Sequence, residues 1–384
     1  MLQVILGLAA ILILFVFILL FRVQSLIAVL RGSDKQVGSI SNKFNAFLML
    51  VFFFGMTILF VWYTFAEKDT YILPESASLH GLVTDQLFWL TMVIITVTML
   101  ITNGLLFIFA YKYQYDEKRV AAYVPEHNLL EMLWTVIPAI VLTVLVFKGY
   151  AAWTDVTTIP EQFKGKNQEY VDAGDKGVLI EVMAQQFAWN VRYPGVDGKL
   201  GEHNFRLIDD INGYGLDFSD ENSFDDITPT KIVIPVNVPV LFKIRSRDVL
   251  HSVYAPHFRV KMDAVPGQPT TFAFTPRTTT SEMRAKLGND KFKYELACAE
   301  MCGRNHFSMS KLIEVVTMEE YKEWIAKQTT WVSNNSEYVK EKGSTDLVSK
   351  YLNESSEEAE VVEPVIEEEI IDSNSVEIDS TVSH

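Results

Sequence analysis

Cysteine is nearly absent from this chain: two residues in 384, and both, Cys298 and Cys302, fall in one short loop. A framework of several disulfides is thereby excluded. No Cys-x-x-Cys-His run occurs, so no c-type haem is expected on the chain. Positive charge is scarce as well, with 33 Lys and Arg against 48 Asp and Glu and a formal net charge of −15. Such a balance argues against a nucleic-acid partner and suits a basic protein. Residues 353–384 contain no Phe, Tyr or Trp. An acidic, Ser-rich stretch of that kind buries too little surface to fold, and disorder is expected there. Internal repeats are also lacking.

What is abundant is apolar sequence, concentrated at one end. Four runs, at 2–21, 46–65, 88–110 and 129–146, dominate the first 150 residues. Each approaches or exceeds the ~18–20 residues that a helix needs to cross a bilayer. Pro138 inside the last run is tolerated better in a membrane helix than in a soluble one. The first run lacks a basic start and a small-residue cleavage site and is too long for a signal peptide, so it reads as an uncleaved helix.

Charge sets the orientation. Arg22, Arg31, Lys35 and Lys43 lie between the first two runs, and Lys112, Lys118 and Arg119 between the last two. Between the second and third stands Lys68 among Glu67, Asp69, Glu75 and Asp85. The positive-inside bias then places the first and last of these loops in the cytoplasm, so that everything after the fourth run emerges on the outer face.

From residue 178 the pattern changes to short alternating segments, 178–184, 231–236, 240–244, 271–275 and 312–316, with Pro-, Gly- and Asn-rich joints. Strands at this spacing imply a β-sandwich or barrel. A short closing helix is expected over 318–330.

The chemistry concentrates in Cys298-Ala-Glu-Met-Cys302-Gly-Arg-Asn-His306-Phe-Ser-Met309, with His251 upstream. Two thiols, imidazoles and a thioether are soft ligands suited to copper rather than magnesium or calcium. A mononuclear blue-copper site uses one Cys, two His and a weak Met. A second thiolate allows both sulfurs to bridge two copper ions, which makes a binuclear electron-transfer centre. Taken alone, the cysteine pair also fits a disulfide, and the Cys and His set fits a structural zinc site. Neither accounts for Met309 at its spacing or for the His251 region. His257 has no place in the pattern and reads as a surface or hydrogen-bonding histidine.

The loop Cys-x-Glu-x-Cys-x-x-x-His-x-x-Met resembles the CuA loop of subunit II of the haem–copper cytochrome c oxidases. Asp248-Val-Leu-His251-Ser and Lys261-Met-Asp263-Ala-Val-Pro-Gly267 resemble the family's other ligand strand and the stretch after it. The resemblance covers roughly 81–330. It implies His251 and His306 as imidazole ligands, Cys298 and Cys302 as bridging thiolates and Met309 as a weak ligand. Glu300 gives copper its backbone carbonyl, and the carboxylates of Glu300 and Asp263 belong to a magnesium region shared with subunit I. Glu131, three residues before Trp134-Thr-Val-Ile-Pro138, corresponds to a proton-uptake glutamate, although a carboxylate at a helix start is commonly a dipole partner. Phe187 stands where many relatives have the tryptophan that receives the electron, so the way in is altered, and Trp189 is retained as either an electron-path or a core aromatic.

The expected organisation is an extra transmembrane hairpin (1–66), the family's own hairpin (67–150), a linker (151–176), a cupredoxin-like Greek-key domain (177–330) and an acidic disordered tail (331–384). The implied function is the electron-accepting subunit of a proton-pumping cytochrome c oxidase in a bacterial inner membrane, with the copper domain on the outer face. Electrons come from a c-type cytochrome, or from another respiratory complex that carries one, and pass to haem in subunit I, where oxygen is reduced. The alternative is a membrane-tethered copper shuttle or copper-transfer protein. The acidic residues around 209–226 read as a solvated loop or as a face that steers a basic cytochrome.

Overall fold

The computed structural model describes residues 2–31, 39–68, 74–115, 118–165 and 171–359. The chain divides into two units, Met1–Glu75 with Leu82–Ala152, and Ser76–Gly81 with Trp153–His384. In the first unit the four apolar runs become helices longer than the runs themselves: α1 (Leu2–Leu30), α2 (Ser39–Ala66), α3 (Leu79–Lys112) and α4 (Asn128–Thr157). Each is long and apolar enough to span a bilayer. Their described side chains remain mostly exposed, Leu14, Phe52, Ile101 and Leu142 among them, as lipid-facing residues do. The second helix of the leading pair packs on the next hairpin, for Phe53 of α2 stacks on Phe107 of α3 at 5.2 Å, and Asn42 donates to the Tyr115 carbonyl at 3.2 Å. Because α4 runs to Thr157, the expected linker at 151 begins inside a helix.

The second unit is a β-sandwich. One sheet has the order β2-β1-β4-β7 and the other β3-β9-β8-β5-β6, from β1 (Val178–Gln185), β2 (Ala188–Arg192), β3 (Ile232–Pro235), β4 (Val240–Ser246), β5 (His251–Ala255), β6 (Val260–Ala264), β7 (Thr270–Phe274), β8 (Tyr294–Cys298) and β9 (Ser310–Val316). The period-2 pattern decides which face is inside. Ile180 and Val182 of β1 and Phe242 and Ile244 of β4 enter the main core with Tyr294, Leu296 and Ile313 from the facing sheet. The five strands expected from sequence are present to within a residue or two. Periodicity gives no sign of β2, β6 or β8, or of α5 (Thr280–Leu287), which a Thr279–Glu282 capping box begins, and β5 is anticipated only as the ligand strand that the resemblance implies. The closing helix is α6 (Met318–Ala326), opened by a second box on Thr317 and Glu320.

The outer face of the four-stranded sheet is polar yet buried. Glu181 of β1 stands opposite Arg192 of β2 and Lys243 of β4. Arg192 is wholly buried between Glu181 and Asp226, with both ion pairs at 2.5 Å. Arg245 adds a 2.8 Å bond to Glu181. Burial opposes the Glu181 charge, but Arg192, Lys243 and Arg245 outweigh it and hold its carboxyl down at about 2. Through Asp226 this cluster pins the long β2–β3 connection to the sandwich.

That connection also corrects the expected tail. Leu216, Phe218 and Phe224 form a second small core with Trp331, Val332 and Val339, which lie on the helices α7 (Trp331–Asn334) and α8 (Ser336–Lys342). Tyr351, on α9 (Thr345–Ala359), stacks on Phe224 at 4.9 Å. Folded structure therefore continues well past 330, because apolar side chains recur at helical spacing within an acidic sequence. Residues 360–384 lie outside the described residues.

The acidic residues of the β2–β3 connection are mostly committed internally. Asp209 accepts the Tyr338 hydroxyl at 2.7 Å and the Asn212 amide at 2.7 Å, Asp220 accepts the Glu202 amide at 2.7 Å, and Glu221 pairs with Lys350. These carboxylates hold a loop together, and the Tyr338 hydroxyl and the Asn212 amide lower the Asp209 carboxyl below its ordinary value, so this exposed group keeps its charge.

Replacing Glu181 by Gln is expected to cost about 3–5 kcal/mol at neutral pH, since it leaves buried cations uncompensated. The wild-type contribution is complete above the ordinary value of 4.5 and fades as pH falls towards 2. Thermal unfolding of the full chain in detergent should therefore show a shallower acid limb for Glu181→Gln. An acid limb as steep as wild type would contradict this account.

Candidate metal centre

The ligand candidates meet where three backbone segments are clamped together. β5 begins at His251 and β8 ends at Cys298, and the strands pair with Val253 opposite Cys298. The Ala299 amide donates to the Ser252 carbonyl at 3.0 Å, and the Cys298 amide to the Met309 carbonyl at 3.2 Å. The 298–309 loop is thus closed at its base and tied to the His251 strand. At its far side Gly303 has φ +135°, and a Cβ there would lie 3.0 Å from both the Gln186 amide nitrogen and the Phe187 ring. A glycine is required on both counts.

The donor atoms form one cluster. Cys298 Sγ lies 3.8 Å from Cys302 Sγ and 3.8 Å from His251 Nδ1. Cys302 Sγ lies 3.6 Å from His306 Nδ1 and 3.8 Å from Met309 Sδ. The Glu300 carbonyl oxygen is 3.2 Å from Cys298 Sγ. All six residues of the expected ligand set therefore converge. Both thiols are free, and the sulfurs are far beyond the ~2.05 Å of a disulfide. Sulfurs at this separation admit a metal roughly 2.3 Å from both on either side of the line joining them. His251, Cys302 and Met309 are buried, His306 is half-buried and the Glu300 side chain exposed.

Electrostatics keep the pair protonated in the absence of a cation. Burial, then the neighbouring Cys298 sulfur, pushes the Cys302 thiol up to about 11. Ionising both thiols at neutral pH calls for a bound cation.

Two residues that motif reading gave no role support the ligands. Asp248 Oδ1 lies 2.8 Å from His251 Nε2, so that nitrogen donates and Nδ1 is left free to bind metal. Burial works against the Asp248 charge, but the Gln186 amide and the His251 bond prevail and keep its carboxyl below the usual range. Its position three residues before His251 is the one hint the sequence offers. Gln186 donates its side-chain amide to the Cys302 carbonyl at 2.6 Å and its backbone amide to Asp248 Oδ2 at 2.7 Å. Only the fold reveals that residue.

The remaining candidates lie apart from the donors. Phe187 is half-buried on Gly303. Trp189 is a core side chain whose ring meets His251 edge-on at 6.1 Å. Asp263 stands on β6 opposite Ser252, with its side chain exposed. Glu131 accepts the His127 amide at 3.3 Å at the start of α4, a capping contact. His257 packs against Phe292 and Tyr294 at 5.0 and 5.7 Å, and burial lowers its imidazole below the usual value.

Two family models match: the cytochrome c oxidase subunit II transmembrane domain over residues 66–151 and its periplasmic domain over 178–316. α1 and nearly all of α2 lie outside both. The alternative cytochrome c oxidase subunit 2 of Bradyrhizobium diazoefficiens is 32% identical over 246 residues, 64% of this chain and 78% of that one. The probable cytochrome c oxidase subunit 2 of Rickettsia bellii is 30% identical over 244 residues, 62% of this chain and 77% of that one. The crystal structure of the periplasmic domain of subunit II of cytochrome oxidase from Bradyrhizobium japonicum is 24% identical, with 39% of this chain and 91% of that one covered and a TM-score of 0.27.

In metal-free protein at about pH 8, alkylation should reach the half-buried Cys298 well before Cys302, whose thiol is buried and held protonated. Mass spectrometry of the labelled peptides measures the order. Equal rates, or an internal disulfide that blocks both, would contradict the geometry.

Proposed function

The chain belongs to the cytochrome c oxidase subunit II family, a membrane protein with a periplasmic domain, and on that premise we propose that its sulfur cluster is a binuclear copper centre that accepts electrons from a c-type cytochrome. The observation that carries this reading is the pair of free thiols 3.8 Å apart, flanked by two imidazoles and a thioether. Zinc in a structural site needs four donors. Here two thiols and two imidazoles already make four, and the Met309 thioether and the Glu300 carbonyl are in surplus, which suits two soft metals.

Bound copper supplies one-electron redox chemistry. The residues of this chain do the rest. The clamped loop holds the thiols at a fixed separation, so little rearrangement accompanies a change of charge. Asp248 keeps His251 in one tautomer. The buried faces of His251, Met309 and Cys302 exclude water on the core side. Phe187 and Gly303 form the exposed side, where an electron arrives. The Glu300 carbonyl, 3.2 Å from Cys298 Sγ, would help hold copper, while the residue's side chain is exposed.

Onward transfer goes to haem in subunit I, where oxygen is reduced and protons are pumped. Asp263 and Glu300 offer hard, exposed carboxylates to magnesium at that contact, two of the roughly six oxygen ligands it takes. Glu131 serves proton uptake in addition to capping α4. The membrane is the bacterial inner membrane. Membership of an oxidase family disfavours a free copper shuttle.

Full-length protein purified in detergent and loaded with copper should turn purple and bind about two coppers per chain through the thiolate pair. Replacing either Cys298 or Cys302 by Ser should abolish the colour. A colourless protein holding one zinc would overturn the reading.

A further inference from the structure

The two ligand segments belong to the same side of the sandwich. His251 starts β5, and the 298–309 loop joins β8 to β9, all in the five-stranded sheet. The turn between β1 and β2 belongs to the opposite sheet and contributes no ligand. It nevertheless reaches both segments through one residue. The Gln186 backbone amide holds Asp248 Oδ2 at 2.7 Å, while Oδ1 of the same carboxylate holds His251 Nε2 at 2.8 Å. The Gln186 side-chain amide holds the carbonyl of Cys302 at 2.6 Å. Gly303, the next residue, leaves the space in which that amide and the Phe187 ring lie.

We propose that Gln186 is a positioning residue for the metal centre, a brace that fixes the thiolate loop against the His251 segment and seats Phe187 on the loop. The inference rests on the copper reading for its spectroscopic arm alone. Its geometry has a useful asymmetry. The link to Asp248 uses the backbone and survives a side-chain substitution, whereas the link to Cys302 uses the side chain and does not. A Gln186 variant therefore releases the thiolate loop and leaves the imidazole anchored. An Asp248→Asn variant does the reverse.

The test uses full-length protein in detergent with Gln186→Met, which keeps the bulk and removes the donor. Gln186→Asn, an amide one methylene too short, serves as a second variant. In the metal-free state, Cys302 alkylation should become roughly 3–10-fold faster in both, the size expected for one lost hydrogen bond. In the copper-loaded state, release of copper should be roughly tenfold faster, as for other supporting residues around metals. The copper hyperfine pattern and reduction potential should shift in a way distinct from that of Asp248→Asn. Val339→Ala, a truncation in the separate second core, controls for general destabilisation and should leave the hyperfine pattern unchanged. Alkylation and spectra identical to wild type in both Gln186 variants would overturn the proposal. Wild-type protein that takes up no purple copper would overturn the copper reading instead, and the alkylation arm would still judge the brace.

Discussion

Two thiols held 3.8 Å apart in a place that pushes Cys302 up to about 11 are a constraint that a cation relieves. Without one, the pair remains protonated and weakly bonded. With one, both sulfurs ionise, protons leave and the binding energy is shared between the metal and the fold. The sulfurs could escape this by oxidation to a disulfide, but that requires them to approach by well over 1 Å. The clamp on Cys298, formed by Met309 on one side and Ser252 through Ala299 on the other, opposes the movement. The surrounding architecture can be read as the means of keeping that separation.

Rigidity at the loop depends on rigidity beneath it. The sandwich obtains it from a conventional apolar core on one face of β1 and β4. On the other face the same strands carry Glu181, Lys243 and Arg245, which meet a buried Arg192 from β2. An ion cluster is a weak source of stability compared with apolar packing of similar volume. What it provides here is register, because Glu181 selects Arg192 across β2 and the cations across β4. Asp226 carries that register into the β2–β3 connection, and the helices after residue 330 cover the connection with Trp331 and Val339.

The ligand set was legible because its chemistry is rare: cysteine occurs twice in the chain, and both copies sit at metal spacing. The membrane helices were legible because lipid demands long uninterrupted apolar runs. Of the strands that bear the ligands, β5 is legible only through the resemblance and β8 not at all. β5 and β8 are only five residues long, and β5 includes His251 and Ser252, both buried, which disguises its inward face. The C-terminal helices were missed for the opposite reason. Composition averages over a window, and the acidic, Ser-rich character of the tail outweighed Trp331, Val339, Leu347 and Tyr351, whose spacing carried the signal. Asp248 and Gln186 act by position in three dimensions, and nothing in one dimension pairs residue 186 with residue 302.

The aromatic pair at the centre shows how that limitation bears on function. In sequence, Phe187 and Trp189 compete for one role. In the fold they occupy opposite sides of the ligand shell. Trp189 is buried and meets the His251 ring edge-on at 6.1 Å, so it supports an imidazole from the core and presents little to a partner. Phe187 lies on Gly303 at the rim, beside the carbonyl that Gln186 holds. On the proposed electron-accepting reading, Phe187 and the loop backbone, not a core aromatic, would be the first groups an incoming electron meets. Phenylalanine would offer that route contact and a π-system but no indole N–H, so on the same reading docking specificity would come from neighbouring surface. The exposed Met301 and Phe307 on the same loop provide an apolar surface there, and apolar contact tolerates small differences in a partner's orientation better than a directed hydrogen bond.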